Sequence, residues 1–438
     1  MLANYRAVFA LRDFRRFWLG ASLSMFGDAM TRTAFIWFVY QQTDSPIALG
    51  ILMICYSGPV IVGGLVAGWA LDRFDRRSVM IADCLIRGAA IALVPLFHWL
   101  GILQLWHVYA AAAVYGLLMM VSLAGIPTLI PSLVSERELR TANALEILSY
   151  TLSGIVGPAL AGLLIAAIGA PATVLIDVVS YLLFAVAIAG IRLPAPAPAA
   201  AGERRPQGLG AALRLLTGNP VLCSVTLMFI IFSTGMGALT VWLPFYVTGP
   251  LGGGSALYGL LQAANALGES TSALGLGAIG GNRWLGVKIM IAQVLAGLAV
   301  ALIAFVPGVA SAAAGLFLLG FFDAPLTIWA QTLRMAIIPP QLRGRAFALI
   351  RLSIQGFGPV GSALAGLLLP VVGMTAMILI SAGAIGLPGL AGLGVGPLRR
   401  AHGPEVTRRR KKPKRPGRPR VRPCSCARSR SSTGRRRP

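Results

Sequence analysis

Charge is scarce in this chain. Only 14 of its 438 residues are acidic, and Asp, Glu, Lys and Arg together make up 12%, about half the share found in soluble domains. With 56% hydrophobic residues, the chain cannot hide its apolar surface inside a water-soluble globule, which excludes an ordinary cytosolic enzyme and a disordered protein. Cysteine is also rare. Cys55, Cys84 and Cys223 lie in or beside apolar segments, and Cys424 and Cys426 lie near the C-terminus; this is neither a disulfide framework nor a zinc-ligand spacing, and no metal site is expected. No GxxxxGK[ST] loop occurs, so no phosphate loop, nucleotide chemistry or cofactor is expected. GLGAIG at 275–280 ends an apolar run instead of following a strand, so it is no dinucleotide site. The N-terminal bases Arg6, Arg12, Arg15 and Arg16 precede a long apolar stretch without a small-residue cleavage site, which reads as a retained first helix.

What the chain has is apolar runs. They recur at about 17–40, 47–71, 78–98, 106–131, 141–166 and 171–191, and again at about 220–247, 256–280, 285–306, 310–336, 346–369 and 373–395. Each meets the roughly 20 residues needed to cross a bilayer, and none alternates as barrel strands do. The expectation is an all-α membrane protein of twelve transmembrane helices in two groups of six: residues 1–192, a Pro/Ala-rich linker at 193–219, residues 220–396, and a basic tail at 397–438 without the apolar periodicity of a folded core. Of the connections, those after odd-numbered helices hold no Lys or Arg, whereas those after even-numbered helices hold Arg73, Arg76, Arg77, Arg137, Arg140, Arg204, Arg205, Arg214, Arg283, Lys288, Arg343 and Arg345. The positive-inside rule then places both termini in the cytoplasm of a cell membrane. Trp99, Trp106 and Trp242 fall where an outer aromatic belt is expected.

The net charge of +24 is concentrated at one end: from Arg399 onward stand 17 of the 38 bases and a single acid, Glu405. The body therefore gives no reason to expect nucleic-acid binding. The tail is read as a disordered appendage, with attraction to anionic lipid as the functional alternative.

The second half of the chain repeats the first at an offset of 204 residues. Ala159–Leu164 (ALAGLL) returns as Ala363–Leu368, and Gly154 and Gly157 return as Gly358 and Gly361. Repeated halves place a substrate site near the midplane between them.

Several motifs carry chemistry. GWALDRFDRR, Gly68 to Arg77, joins helices 2 and 3. Gly68 would permit close helix approach, and Asp72 among Arg73, Arg76 and Arg77 could form an ion network at the helix end. SGIVGPALAG, Ser153 to Gly162, thins helix 5 at Gly154, Gly157 and Gly162 and removes a backbone donor at Pro158. Asp28 and Arg32 are four residues apart in the first span and share a helix face. Ionisable groups at that depth are functional hypotheses by default, and a permanent ion pair is the alternative. Asp323 in the tenth span is a further cavity candidate. Glu146, Asp177, Glu269, Arg343 and Arg345 are secondary ones, with snorkelling or gating equally able to explain Glu146. Asp83 and Arg87, again four apart, read as a structural pair.

Together, FRRFWLGASLSMFGDAMTR (14–32), DRFDRR (72–77), PTLIPSLVSERELRTANAL (127–145) and LRGRAFAL (342–349) resemble the major facilitator superfamily, and within it the drug-efflux branch that includes macrolide exporters and the enterobactin exporter. The resemblance implies the major facilitator fold and a secondary transporter, not an enzyme, that exports small amphiphilic compounds by alternating access. It implies protons as the coupling partner, a bilayer as the surroundings and a monomer as the working unit. It gives Asp72 a gating role and makes 153–162 similar to the family's antiporter motif, with Ala161 where a glycine is usual. Proton-coupled relatives often carry an Arg in helix 4; 114–123 here holds no base, so coupling must use other residues. Export of one dedicated metabolite or siderophore, and a non-transporting receptor or scaffold with a polyanion-binding tail, are the alternatives.

Overall fold

The computed structural model describes residues 2–191, 209–278, 284–339 and 341–401. Most of the linker, Arg204, Arg205, Arg283 and the tail from 402 lie outside the described residues. The described chain runs through α1 (Leu2–Ala10), α2 (Arg12–Thr43), α3 (Pro46–Ser57), α4 (Val60–Arg73), α5 (Arg76–Trp99), α6 (Leu105–Leu133), α7 (Leu139–Ile168) and α8 (Ala170–Ala189). It continues through α9 (Leu209–Gly218), α10 (Pro220–Thr248), α11 (Ser255–Ala278), α12 (Leu285–Phe305), α13 (Val309–Ile337), α14 (Arg343–Val372), α15 (Met374–Gly392) and α16 (Gly396–Arg399).

Among the described residues, ten segments are long and apolar enough to cross a membrane, with α3 and α4 counted as one. The other two expected spans, α2 with 32 residues and α11 with 24, have the length but are more polar, carrying Asp28 and Arg32 in α2 and Glu269 in α11. Two details go beyond the sequence reading. The second span is not one helix: Gly58 and Pro59 separate α3 from α4, because Pro59 brings no N–H to the ladder. The end of the expected linker is also ordered, as the amphipathic α9. Its Ala212 and Leu216 are buried with Leu222 of α10 and with Ala346 and Ile350 of α14.

Within the first group α2 packs on α7 and α8, α5 on α6 and α8, and α4 on α6; within the second, α10 packs on α14 and α15, and α12 and α11 on α13. Two seams join the groups, α3 with α14 and α7 with α11. Both are backbone contacts made possible by glycine. A Cβ on Gly162 would strike the Ser255 carbonyl of α11, and one on Gly366 would lie 2.7 Å from the Pro46 carbonyl of α3. Ser255 Oγ donates to the Gly162 carbonyl at 2.9 Å, Tyr40 and Thr248 share a hydroxyl hydrogen bond of 2.6 Å, and Trp37 lies 5.5 Å from Tyr258, centroid to centroid. All these contacts fall where α2 ends and α3 and α11 begin. Past the Gly58–Pro59 break, α4 leaves α14 and turns to α6, with Val62, Leu65 and Trp69 exposed. The halves are therefore joined at the end opposite the arginines of 73–77.

Candidate functional site

The first group of helices encloses a polar cluster in an otherwise apolar interior. Arg87 of α5 is fully buried. Its Nε donates to Asp83 Oδ1 at 3.0 Å and its Nη2 to Asp83 Oδ2 at 2.6 Å. A helical i,i+4 spacing brings this fork onto the carboxylate. Nη2 also reaches Ser122 Oγ of α6 at 2.5 Å, and Ser122 donates to Asp83 Oδ2 at 2.7 Å. Nη1 donates to the Tyr181 hydroxyl of α8 at 2.7 Å, and Tyr181 in turn donates to Asp28 of α2. Arg87 Nη1 lies 3.5 Å from Asp28 Oδ1. The guanidinium also stacks over the Tyr181 ring, 4.5 Å from its centroid. Asp83 is 1% exposed at its side chain, whereas Asp28 is 26% exposed, so Asp28 is the member that meets solvent.

This arrangement corrects the expected Asp28–Arg32 pair. The partner of Asp28 comes from α5, and Arg32 is exposed, with no hydrogen bond or ion pair among the described residues. Asp83 and Arg87, read as structural, are the centre of the site. The buried base of this cluster stands on α5, and α6 contributes Ser122 to it.

Asp177 of α8 is fully buried. Thr31 of α2 donates to its Oδ2 at 2.6 Å, and Ser180 Oγ lies 2.9 Å from its Oδ1. The carboxyl rests against Gly27, where a Cβ would overlap it. In the second group, Asp323 of α13 is half-buried, receives Thr327 at 3.4 Å and feels the charge of Glu269 on α11. No base pairs with either among the described residues. Arg334, which sequence reasoning missed, is buried on α13 with its guanidinium carbon 4.6 Å from the centroid of Phe229. Its Nε and Nη2 have no hydrogen-bond partner. A lone arginine late in an apolar run was its only sequence signal.

The motif after α4 is looser than expected. Asp72, Arg73 and Arg76 are exposed and form no ion pair with one another; Asp75 instead caps α5 by accepting from Ser78 N at 3.0 Å. Arg77 donates to the Ala189 carbonyl. Gly68 faces open space, and the close approach of α4 to α6 is made at Gly63. The helix 5 motif is tight: a Cβ on Gly157 would stand 2.6 Å from Ala29 Cβ of α2, Gly154 has ordinary contact with Ala266 of α11, and Gly259 packs against the Pro158 carbonyl. Arg343 closes the end of α13 by donating to the Met335 and Ile338 carbonyls at 3.0 and 3.2 Å. Arg345 is half-buried near the start of α14. Glu146 lies beside Ser149 and Trp18, away from the cluster. Trp99 and Trp106 are exposed as a belt requires, but Trp242 is buried, its indole donating to Ser381 Oγ at 3.0 Å. No group of metal-binding side chains occurs among the described residues.

Comparison with known proteins agrees with this architecture. The chain is 30% identical over 398 residues to the multidrug efflux pump Tap of Mycobacterium tuberculosis, covering 85% of this chain and 91% of that protein. It is 26% identical over 181 residues to macrolide efflux protein A of Streptococcus pyogenes, covering 41% of this chain and 45% of that one. The crystal structure of a POT family transporter in complex with 5-aminolevulinic acid superposes with a TM-score of 0.70 at 13% identity, over 89% of this chain and 96% of that one; at that identity the likeness concerns the fold. The family profile described as transmembrane secretion effector matches residues 4–410. The chain is an efflux transporter of the major facilitator superfamily and belongs to its transmembrane secretion effector family.

Proposed function

We propose that the protein exports small amphiphilic compounds across the cell membrane, as a monomer with both termini in the cytoplasm, by exchanging protons inward through the α2–α5–α8 cluster. The α2 and α11 helices complete twelve crossings, and the two groups of six rock about the glycine seams. With those seams closed at the end opposite the basic loops, the structure corresponds to a cytoplasm-facing state. The observation that carries the reading is Asp28: a partly exposed carboxyl on the edge of a buried ion cluster, in a chain with no phosphate loop. A group in that position exchanges a proton with the aqueous side while its interaction with Arg87 and Tyr181 changes with its charge. A proton moving inward through 100 mV supplies about 2.3 kcal/mol, in addition to any pH difference.

Asp28→Asn removes the exchangeable proton with little change in shape. In inverted membrane vesicles, hydrophobic drugs should collapse the pH gradient with the wild type and fail to do so with Asp28→Asn at equal abundance. Equal collapse by both proteins would remove Asp28 from the coupling path.

Arg32 supports a narrower second reading. An exposed guanidinium in a spanning helix, with no ion pair among the described residues, fits a dedicated substrate with an acidic group. Under this reading, Arg32→Ala abolishes transport of anionic compounds and spares cationic ones.

A further inference from the structure

The second half buries a cation that nothing balances. Arg334 is 5% exposed in the last turn of α13. Its Nε and Nη2 are buried without a hydrogen-bond partner, and it forms no ion pair among the described residues. The acids described in this half are Glu269 and Asp323. Asp323 stands 11 residues earlier on the same helix, about 16 Å away along its axis. A guanidinium keeps its charge inside a protein. The negative end of the helix dipole favours that charge but satisfies none of its N–H groups.

Arg87 shows what Arg334 lacks. It grips the two oxygens of Asp83 through Nε and Nη2, at 3.0 and 2.6 Å, and this parallel fork fits a carboxylate or a phosphate. In Arg334 the same two atoms are the empty ones. Phe229 of α10 takes the face of the guanidinium, with 4.6 Å between the guanidinium carbon and the ring centroid, which leaves the edge for a ligand. Thr226, three residues before Phe229 and on the same side of α10, also has a buried hydroxyl with no partner.

The internal repeat shows that such a place can be closed without a ligand. In the first half Ser22, Met25 and Ile130 stand where Thr226, Phe229 and Arg334 stand in the second. There Ser22 and Ser149 share a hydroxyl hydrogen bond of 2.8 Å, and Ile130 has no polar group to satisfy. The second half also offers a way in. Thr327 and Gln331, seven and three residues before Arg334 on the same face of α13, are exposed. Polar residues in a spanning helix face a water-filled cavity rather than lipid.

We propose that Arg334 is a binding site for the anionic headgroup of an amphiphile, whose carboxylate or phosphate takes the Nε–Nη2 fork, with the Thr226 hydroxyl as the next donor on α10. This rests on the export reading given above for the cavity through which a compound enters, and it names a chemical class for one such compound. It does not depend on the coupling ion.

Thermal unfolding of the purified full-length protein in nanodiscs of phosphatidylcholine tests this without a transport assay. Laurate, a single-chain carboxylate, should raise the Tm of the wild type, as a ligand of the folded state does, and dodecanol should not. Arg334→Met removes the unbalanced charge, so it should fold, and its Tm should not respond to laurate. Arg334→Lys keeps the charge and loses the fork, and it should need about tenfold more laurate for the same shift. An equal laurate response in Arg334→Met, or an equal response of the wild type to dodecanol, would overturn the proposal. If laurate has no effect but added phosphatidylglycerol raises the Tm of the wild type and not of Arg334→Met, the headgroup is a lipid phosphate and the site stands. No Arg334-dependent shift with either anion overturns it. Inverted vesicles in which drugs move no protons would count against proton-coupled export and leave an Arg334-dependent shift as it is.

Discussion

The two halves of this transporter share a scaffold and differ in what they bury. Helices α6 and α7 start and end 204 residues before α13 and α14, and α8 starts 204 before α15. The seam glycines repeat at the same spacing with exchanged partners: Gly157 packs on α2 as Gly361 packs on α10, and Gly162 meets α11 as Gly366 meets α3. At that offset, however, Asp28, Asp83, Arg87, Asp177 and Tyr181 become Phe232, Val287, Ile291, Ser381 and Ile385. The Thr31–Asp177 bond that ties α2 to α8 has as its counterpart a neutral bond, Trp242 to Ser381, that ties α10 to α15. The charge cluster is therefore not needed to build such a half, since a version without it packs equally well. In the first half the cluster incurs the desolvation of buried ions.

The largest break in this comparison comes from removing the cation. Arg87→Met leaves Asp83 buried without compensation, and the expected loss of stability is about 3–5 kcal/mol, read as lower Tm in detergent and lower abundance in membranes. Arg87→Met combined with Asp83→Leu converts the first half toward the apolar pattern of the second and should recover most of that Tm, but not proton-coupled transport. The seams come next. Gly162→Leu and Gly366→Leu should each cost roughly 1–3 kcal/mol through overpacking and depress transport to similar extents, because the repeat gives them equivalent places; one tolerated and one inactive would show that the seams are unequal. Asp323→Asn then asks whether the acid of the second half takes part. With no base beside it, its replacement should leave the drug-dependent pH change of inverted vesicles largely intact, in contrast to Asp28→Asn. The smallest effect is expected from Arg32→Ala, which removes an exposed, unpaired side chain and should shift stability by no more than about 0.5 kcal/mol while altering which compounds are exported.

The fold was legible to a degree that the site was not. Span length and the 204-residue repeat depend on local composition, and the helices follow them closely. The break at Gly58–Pro59 was missed, although a proline inside an apolar run was its signal. The site turns on which helices meet. Asp28–Arg32 and Asp83–Arg87 have the same four-residue spacing, yet only the second pair forms. Spacing puts two residues on one face, but the neighbours across that face decide the outcome. Tyr181 and Arg87 draw Asp28 toward α5 and α8, whereas Arg32, one turn further on, is exposed. Asp177 was visible as an acid in an apolar run, but its two partners, one a turn away on α8 and one on α2, were not. The loop at 72–77 reads as a network in sequence and is open here because α4 stands away from α14.

At Gly162 and Gly366 the seams bring peptide group against peptide group, so what those positions demand of the sequence is an absence of bulk. Side chains on α5 or α13, which make no contact across the seams, can change without touching closure. Closure and selectivity therefore mutate independently, and a lineage can acquire a new exported compound without first losing its barrier to leak.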